Sequence, residues 1–297
     1  KNKINLFEPY FDKFEKENLN KVINSGWVTS GPLSLKFENE VKKFIGTKNA
    51  IAVNSCTNGI IATIQALKLK PGDEVITSPM TFVSVIHALE LFKLKIKLVD
   101  VTLDNFSFND EIVKKSISKK TKCIIITHYG GLPVDISKIS ALCKKKKIFL
   151  IEDAATAFGA KIKKKNVGSS DYSISVFSFY ANKIITTGEG GIISLKNKQL
   201  ANKIRSIISC GIDKDPWKRT FEKKMWFYNV KNFGFKFNFT DLQAALGLAQ
   251  LKKLKNIINK RKKFRKLYDK NLKDIIHKKI IFVQNSKKGY FNSEYIY

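Results

Sequence analysis

Lys183 stands where a cation is not expected. Residues 177–191 read Phe-Ser-Phe-Tyr-Ala-Asn-Lys-Ile-Ile-Thr-Thr-Gly-Glu-Gly-Gly, the least lysine-rich and most apolar neighbourhood in a chain with 55 basic residues. A lysine amine taken out of water is held uncharged more easily, and the neutral amine is the form that condenses with an aldehyde to an imine. Gly188, Gly190 and Gly191 let the backbone pass close to a ligand. A second segment, residues 148–155, is an apolar run that ends in Glu152 and Asp153 followed by two alanines. A carboxylate at the end of a buried strand needs a partner, which a protonated ring nitrogen would provide and an N-cap role would not require. A third, Val53-Asn54-Ser55-Cys56-Thr57-Asn58-Gly59, runs into a helix and offers hydroxyls and free amides to a phosphate. Ser55 and Thr57 would also suit plain helix capping.

All three segments follow short continuous apolar runs, the mark of strands covered on both faces. Strands are expected at Ala50 to Asn54, Glu74 to Thr77, Ile96 to Val101, Cys123 to Thr127, Ile148 to Ile151, Ile174 to Phe177 and Gly191 to Leu195. Helical spacing falls between them at Leu35 to Phe44, Gly59 to Leu67, Val83 to Phe92, Ile136 to Cys143 and Gln199 to Ile208. The pattern predicts an α/β fold, a mostly parallel seven-stranded sheet with helices on both faces and a site at the carboxyl ends of its strands. A long helix is expected from about Asp241 to Asp269 with Thr240 as its N-cap, then a strand-like stretch at Lys279 to Val283. Two units follow, residues 1–240 and residues 241–297. The start at lysine and the abrupt stop at Tyr297 point to a fragment of a longer protein.

The net charge of +30 would ordinarily suggest nucleic acid. Only four of the 55 cations are arginines (Arg205, Arg219, Arg261, Arg265), however, and arginine is the side chain suited to bidentate phosphate and base recognition. The 51 lysines are spread over the whole chain, so runs such as Lys144 to Lys147, Lys163 to Lys165 and Lys252 to Lys266 are expected as solvated faces. No run approaches the roughly 20 apolar residues of a membrane span, and no signal pattern opens the chain, which places the protein in the cytoplasm. Cys56, Cys123, Cys143 and Cys210 are too scattered for a zinc set, so no metal site is expected. His87 is expected to pack within its helix, and His128 either contacts substrate or makes a structural hydrogen bond.

These motifs together resemble the DegT/StrS family of nucleotide-sugar aminotransferases, which have the fold of aspartate aminotransferase. The resemblance runs from Gly26-Trp27-Val28-Thr29-Ser30-Gly31-Pro32 through Phe37-Glu38, Pro71 to Ile76, Thr81-Phe82-Val83, Glu152 to Ala155 and Ser178 to Lys183, on to Thr240 to Gly247. It implies pyridoxal phosphate held on Lys183 as a Schiff base, with Lys183 moving the proton and Asp153 paired to the pyridinium nitrogen. It further implies that Ser55, Cys56, Thr57 and Ser178 hold the phosphate, that Phe82 stacks on the ring and that Thr156 occupies a position often Gln or His. Asn238 would reach the phosphate from the neighbouring subunit of a homodimer. Trp27, Thr29, His128 and Tyr180 would lie near the sugar. The implied reaction moves an amino group from an amino acid, glutamate foremost, to a 4-keto-6-deoxyhexose on a nucleotide, for polysaccharide or glycan precursors. Family members continue past Tyr297 into a small C-terminal domain, expected to be largely missing here.

Three other readings compete. A pyridoxal-dependent sugar dehydratase is the nearest, but such relatives carry histidine in place of the Schiff-base lysine. A truncated, inactive relative and a basic nucleic-acid-binding protein are the other two.

Overall fold

Near-continuous burial along the strands and three-to-four-residue spacing along the helices sort the chain into layers. The computed structural model describes residues 5, 7–212, 217, 227–278, 281, 283–284 and 287–296. In chain order these form α1 (Lys13–Ser25), α2 (Pro32–Ile45), β1 (Asn49–Val53), α3 (Cys56–Leu67), β2 (Glu74–Thr77), α4 (Val83–Leu91), β3 (Lys95–Leu98), α5 (Asp110–Ser116) and β4 (Thr121–Thr127). They continue with α6 (Ser137–Lys146), β5 (Phe149–Asp153), β6 (Lys161–Ile162), β7 (Lys165–Asn166), β8 (Ile174–Ser178), β9 (Gly191–Leu195) and α7 (Lys198–Ile207). The last elements are α8 (Asp241–Asn271), α9 (Lys273–His277) and β10 (Tyr290–Phe291).

The main sheet has seven strands in the order β1-β9-β8-β5-β4-β2-β3. β9 runs antiparallel to β1 and β8 while every other pair is parallel, so six strands point the same way. Alternate residues bury on opposite faces. Ile51, Val53, Val75, Ile125, Ile151, Val176 and Ile193 pack with α3, α4 and α7. Their sequence neighbours Ala50, Ala52, Phe177 and Ile192 pack against α2 and α8, and Ile76, Ile124, Ile126 and Leu150 against α5 and α6. The α/β fold with helices on both faces is therefore observed.

Local signals explain the ends of the long elements. Thr240 caps α8 through a capping box with Gln243, as its position before the apolar pattern predicts. Asp12 and Glu15 form the same box on α1, a helix the apolar spacing does not reveal because only Glu15 and Val22 are buried on it. The N-terminal half of α8 buries Ala244, Ala245, Ala249, Gln250 and Leu254 against α1, α2 and the sheet. β10 pairs with β6, so the described C-terminal residues also return to the segment that follows β5. Of the strand-like stretch at Lys279 to Val283, three residues lie outside those described, and Ile281 and Val283 are not in a strand.

Two expectations are corrected. His87 is exposed on α4, whose buried face is Val85, Ala88 and Leu89. Lys253 does not share the solvated face of its neighbours: its ammonium is largely buried between Glu15 and Asp12, clamping α1 onto α8. The runs at Lys144 to Lys147 and Lys163 to Lys165 are exposed as expected. No described helix is long and apolar enough to cross a membrane.

Candidate active site

Strand register brings the three motifs to one end of the sheet. Ser178 stands opposite Gly191, and Gly191 opposite Val53, so a single glycine separates the end of β8 from the chain entering α3. A Cβ on Gly191 would lie 2.8 Å from the Cys56 nitrogen and 2.9 Å from the Ser55 carbonyl carbon, so a side chain there would push α3 off the sheet. Ser55 caps α3: its Oγ accepts from the Asn58 N–H at 3.1 Å and its carbonyl from the Gly59 N–H at 3.0 Å. The amides of Cys56 and Thr57 have no acceptor among the described residues. They face out of the helix N-terminus, the arrangement that binds an anion. The Cys56 side chain turns away, with Sγ donating to the Val176 carbonyl at 3.7 Å. Burial, with Asp153 nearby, pushes its thiol well up against the pull of Lys183, so Cys56 offers its backbone only.

Adjacent carboxylates of β5 face opposite ways. Asp153, buried, accepts from the Ala155 N–H at 3.1 Å and from Thr81 Oγ1 at 3.3 Å. Burial raises its carboxyl above the ordinary range, with the Ala155 amide, His128, Thr81 and Lys183 each offsetting part of the rise. No lysine or arginine among the described residues pairs with it. Thr81 also accepts from Thr127 Oγ1 at 3.1 Å. The next residue, Phe82, is 72% exposed.

Lys183 ends a turn in which its N–H donates to the Tyr180 carbonyl at 2.9 Å. Ser178 Oγ accepts from the Tyr180 N–H at 3.3 Å. The Tyr180 ring is exposed, 6.3 Å from that of Phe7. The Lys183 ammonium donates to Tyr295 Oη at 3.1 Å and lies 4.5 Å from the centre of its ring. Beyond it opens a cavity of about 820 Å³, lined by Lys183, Asn182, Lys260, Arg261, Glu294 and Tyr295 among others. Asn182 Oδ1 is buried there without a partner.

Not every expected site residue arrives. His128 is fully buried, with Nε2 2.7 Å from Glu152 and Nδ1 accepting from the Val134 N–H at 2.9 Å. The substrate contact considered for it is corrected: both ring nitrogens are occupied on the far side of β5. Although burial opposes it, the bond and charge of His128, with Ser173 and Ser175, hold Glu152 below its ordinary 4.5. Because that value is lowered, the stability contributed by Glu152 is present above pH 4.5 and lost as the pH falls through the lowered value. A His128→Phe change leaves Glu152 Oε2 without its hydrogen bond while Oε1 keeps Ser173 and Ser175, and is expected to cost about 2–3 kcal/mol, read by denaturant melts at neutral pH.

Thr156 Oγ1 donates to the His128 carbonyl at 2.8 Å, which leaves only its acceptor capacity. Trp27 is packed: Nε1 donates to the Ser30 carbonyl at 3.0 Å and the ring meets Trp217 edge-on at 4.6 Å. Thr29 is exposed, and its carbonyl accepts from the Asp241 N–H. Asn238 follows Phe237, whose carbonyl accepts from the Asn54 N–H of the same chain. Its Nδ2 donates to Ser30 Oγ at 3.3 Å and its Oδ1 is buried without a partner. The motifs gave no role to Thr81 or Tyr295. Thr81 belongs to the Thr81-Phe82-Val83 segment without a contact assigned to it, and Tyr295 carries no local signal.

The model of the DegT/DnrJ/EryC1/StrS aminotransferase family matches residues 9–296. An uncharacterized protein of Methanocaldococcus jannaschii, MJ1066, is 38% identical over 270 residues, covering 90% of this chain and 70% of the relative. The spore coat polysaccharide biosynthesis protein SpsC of Bacillus subtilis is 36% identical over 263 residues, covering 87% of this chain and 67% of the relative. The solved structure of Helicobacter pylori PseC, an aminotransferase involved in the biosynthesis of pseudoaminic acid, superposes with a TM-score of 0.82 at 31% identity, covering 90% of this chain and 70% of PseC. With its strand-end lysine, buried aspartate and open helix N-terminus, the chain belongs to the DegT/DnrJ/EryC1/StrS aminotransferase family.

Proposed function

We propose that the protein is a pyridoxal phosphate-dependent aminotransferase of the cytoplasm that moves an amino group from an amino acid, glutamate foremost, to a nucleotide-linked 4-keto-6-deoxyhexose in the assembly of a surface polysaccharide or glycan. The observation that carries it is the convergence of Lys183, Asp153 and the free amides of Cys56 and Thr57 at the carboxyl ends of the strands. These residues fit the cofactor the family implies. It needs an amine, an anion for a ring N–H and an anion site; among the described residues no lysine or arginine pairs with Asp153, and the amides of Cys56 and Thr57 have no acceptor. When bound, pyridoxal phosphate supplies an electron sink for the carbanion formed beside the transferred nitrogen.

The chain's own residues do the rest. Lys183 Nζ takes and returns the proton at the substrate carbon, Asp153 keeps the ring nitrogen protonated, and Phe82 fixes the ring plane. Ser55, Thr57, Ser178 and the amides after Ser55 bind the phosphate, joined by Asn238 of the partner subunit in a homodimer. Thr156 lends an oxygen acceptor beside Asp153. Trp27, Thr29 and Tyr180 border the sugar.

Because Phe82 is already exposed, Phe82→Ala is expected to change stability by less than about 0.5 kcal/mol. It should weaken cofactor binding about tenfold, as measured by absorbance titration, since ring stacking is lost. The reaction is tested by supplying cofactor-loaded protein with glutamate and a panel of keto-sugar nucleotides. Amino-sugar and 2-oxoglutarate formed in equal amounts are expected; deoxygenated sugar without amine would show a dehydratase, and no product across the panel would overturn the assignment.

A further inference from the structure

We infer that Tyr295 is a positioning residue for Lys183, laid over the amine by a strap of residues 290–296 that is pinned to the strand-end loops. The contact is two-fold. Tyr295 Oη accepts from the Lys183 ammonium at 3.1 Å, and the ammonium lies 4.5 Å from the ring centre, within the roughly 6 Å over which a cation is drawn to an aromatic face. Without it, a lysine side chain with four rotatable bonds would wander in the cavity of about 820 Å³ beside it.

The strap is built to hold Tyr295 there. β10 pairs with β6 at its start. Ser293 is buried; its N–H donates to the Gly131 carbonyl at 3.2 Å and its Oγ to the Thr156 carbonyl at 2.7 Å. Gly131, at φ +90°, must be glycine for this, because a Cβ would sit 2.2 Å from Ser293 Oγ. From α8, Arg261 Nη1 donates to the carbonyls of Glu294 at 3.2 Å and Tyr295 at 3.1 Å. Thr156, three residues beyond Asp153, thus ties the strap to the strand that carries the carboxylate.

The role assumes the proposed chemistry of Lys183, but the contact can be tested without it. Cofactor-free protein is trace-labelled with acetic anhydride, and Lys183 acetylation is compared with that of surface lysines by mass spectrometry. Tyr295→Leu is expected to raise Lys183 labelling about fivefold to tenfold, because the amine loses both ring and hydroxyl. In the same variant, pyridoxal phosphate should generate the yellow lysine-bound band about tenfold more slowly, since an undirected amine reaches the aldehyde less often. Tyr295→Phe keeps the ring and should show a smaller change of the same sign in both readouts. Arg261→Met releases the strap and should follow Tyr295→Leu.

Faster acylation with slower cofactor capture is a signature that a purely structural role does not produce. Wild-type labelling and capture in Tyr295→Leu and Tyr295→Phe would overturn the proposal, as would changes in both variants that only track a lowered melting temperature. A wild-type protein that stays colourless would sink the pyridoxal reading and leave the labelling result to decide the role of Tyr295.

Discussion

Exchange of Lys183 for alanine is expected to leave the protein colourless in pyridoxal phosphate and to reduce turnover by about 10⁴-fold or more, the scale of a lost acid–base and covalent group. The amine lies beyond the end of β8 with its charge felt at both Asp153 and Cys56, and no other described lysine acts on that pair. Its removal forfeits one hydrogen bond, to Tyr295, and leaves the packing of β8 and β9 intact, so stability should move by no more than about 1 kcal/mol. Lys183→Arg sharpens the test: it keeps a cation near Tyr295 but cannot form an imine, and it should be equally colourless. The measurement is an absorbance scan of reconstituted protein before and after borohydride, paired with product analysis. A borohydride-sensitive yellow band in Lys183→Ala would refute the assignment.

Asp153→Asn should separate stability from function. Burial raises the folded carboxyl above its ordinary 3.8, so the folded chain holds this proton more tightly than the unfolded chain does. Stability of the cofactor-free protein should therefore fall as pH rises from 3.8 through the raised value, and the amide should remove that dependence. The cofactor-free variant is expected to melt no lower than wild type at neutral pH. Turnover should nonetheless drop by about 10²–10³-fold, because an amide cannot hold a ring nitrogen protonated. A variant that melts much lower without cofactor, yet works normally with it, would assign Asp153 a structural role instead.

Legibility of this site in the sequence followed its locality. Lys183, Asp153 and the Ser55-to-Thr57 cap lie within a few residues of a strand end, where an abrupt change from apolar to reactive residues is visible along the chain. Thr240 announced its helix for the same reason. Residues whose meaning depends on a distant partner were opaque. His128 reads equally as substrate ligand or structural group until β4 is seen beside β5, where Glu152 takes its ring. Lys253 looks like one more surface cation until α8 is laid against α1 and Glu15.

Lys183 and Tyr295 are 112 residues apart, and nothing near Tyr295 marks it. Taken alone, the sequence determined the seven strands of the main sheet, their burial on both faces and which reactive residues stand at their ends, because short-range sterics and continuous apolar runs dictate all three, whereas the two-residue strands β6, β7 and β10 carry no such run. The tertiary structure alone decided which of those ends meet and what covers them. Strand order and helix packing are settled by the burial of the whole chain, and no single segment encodes them.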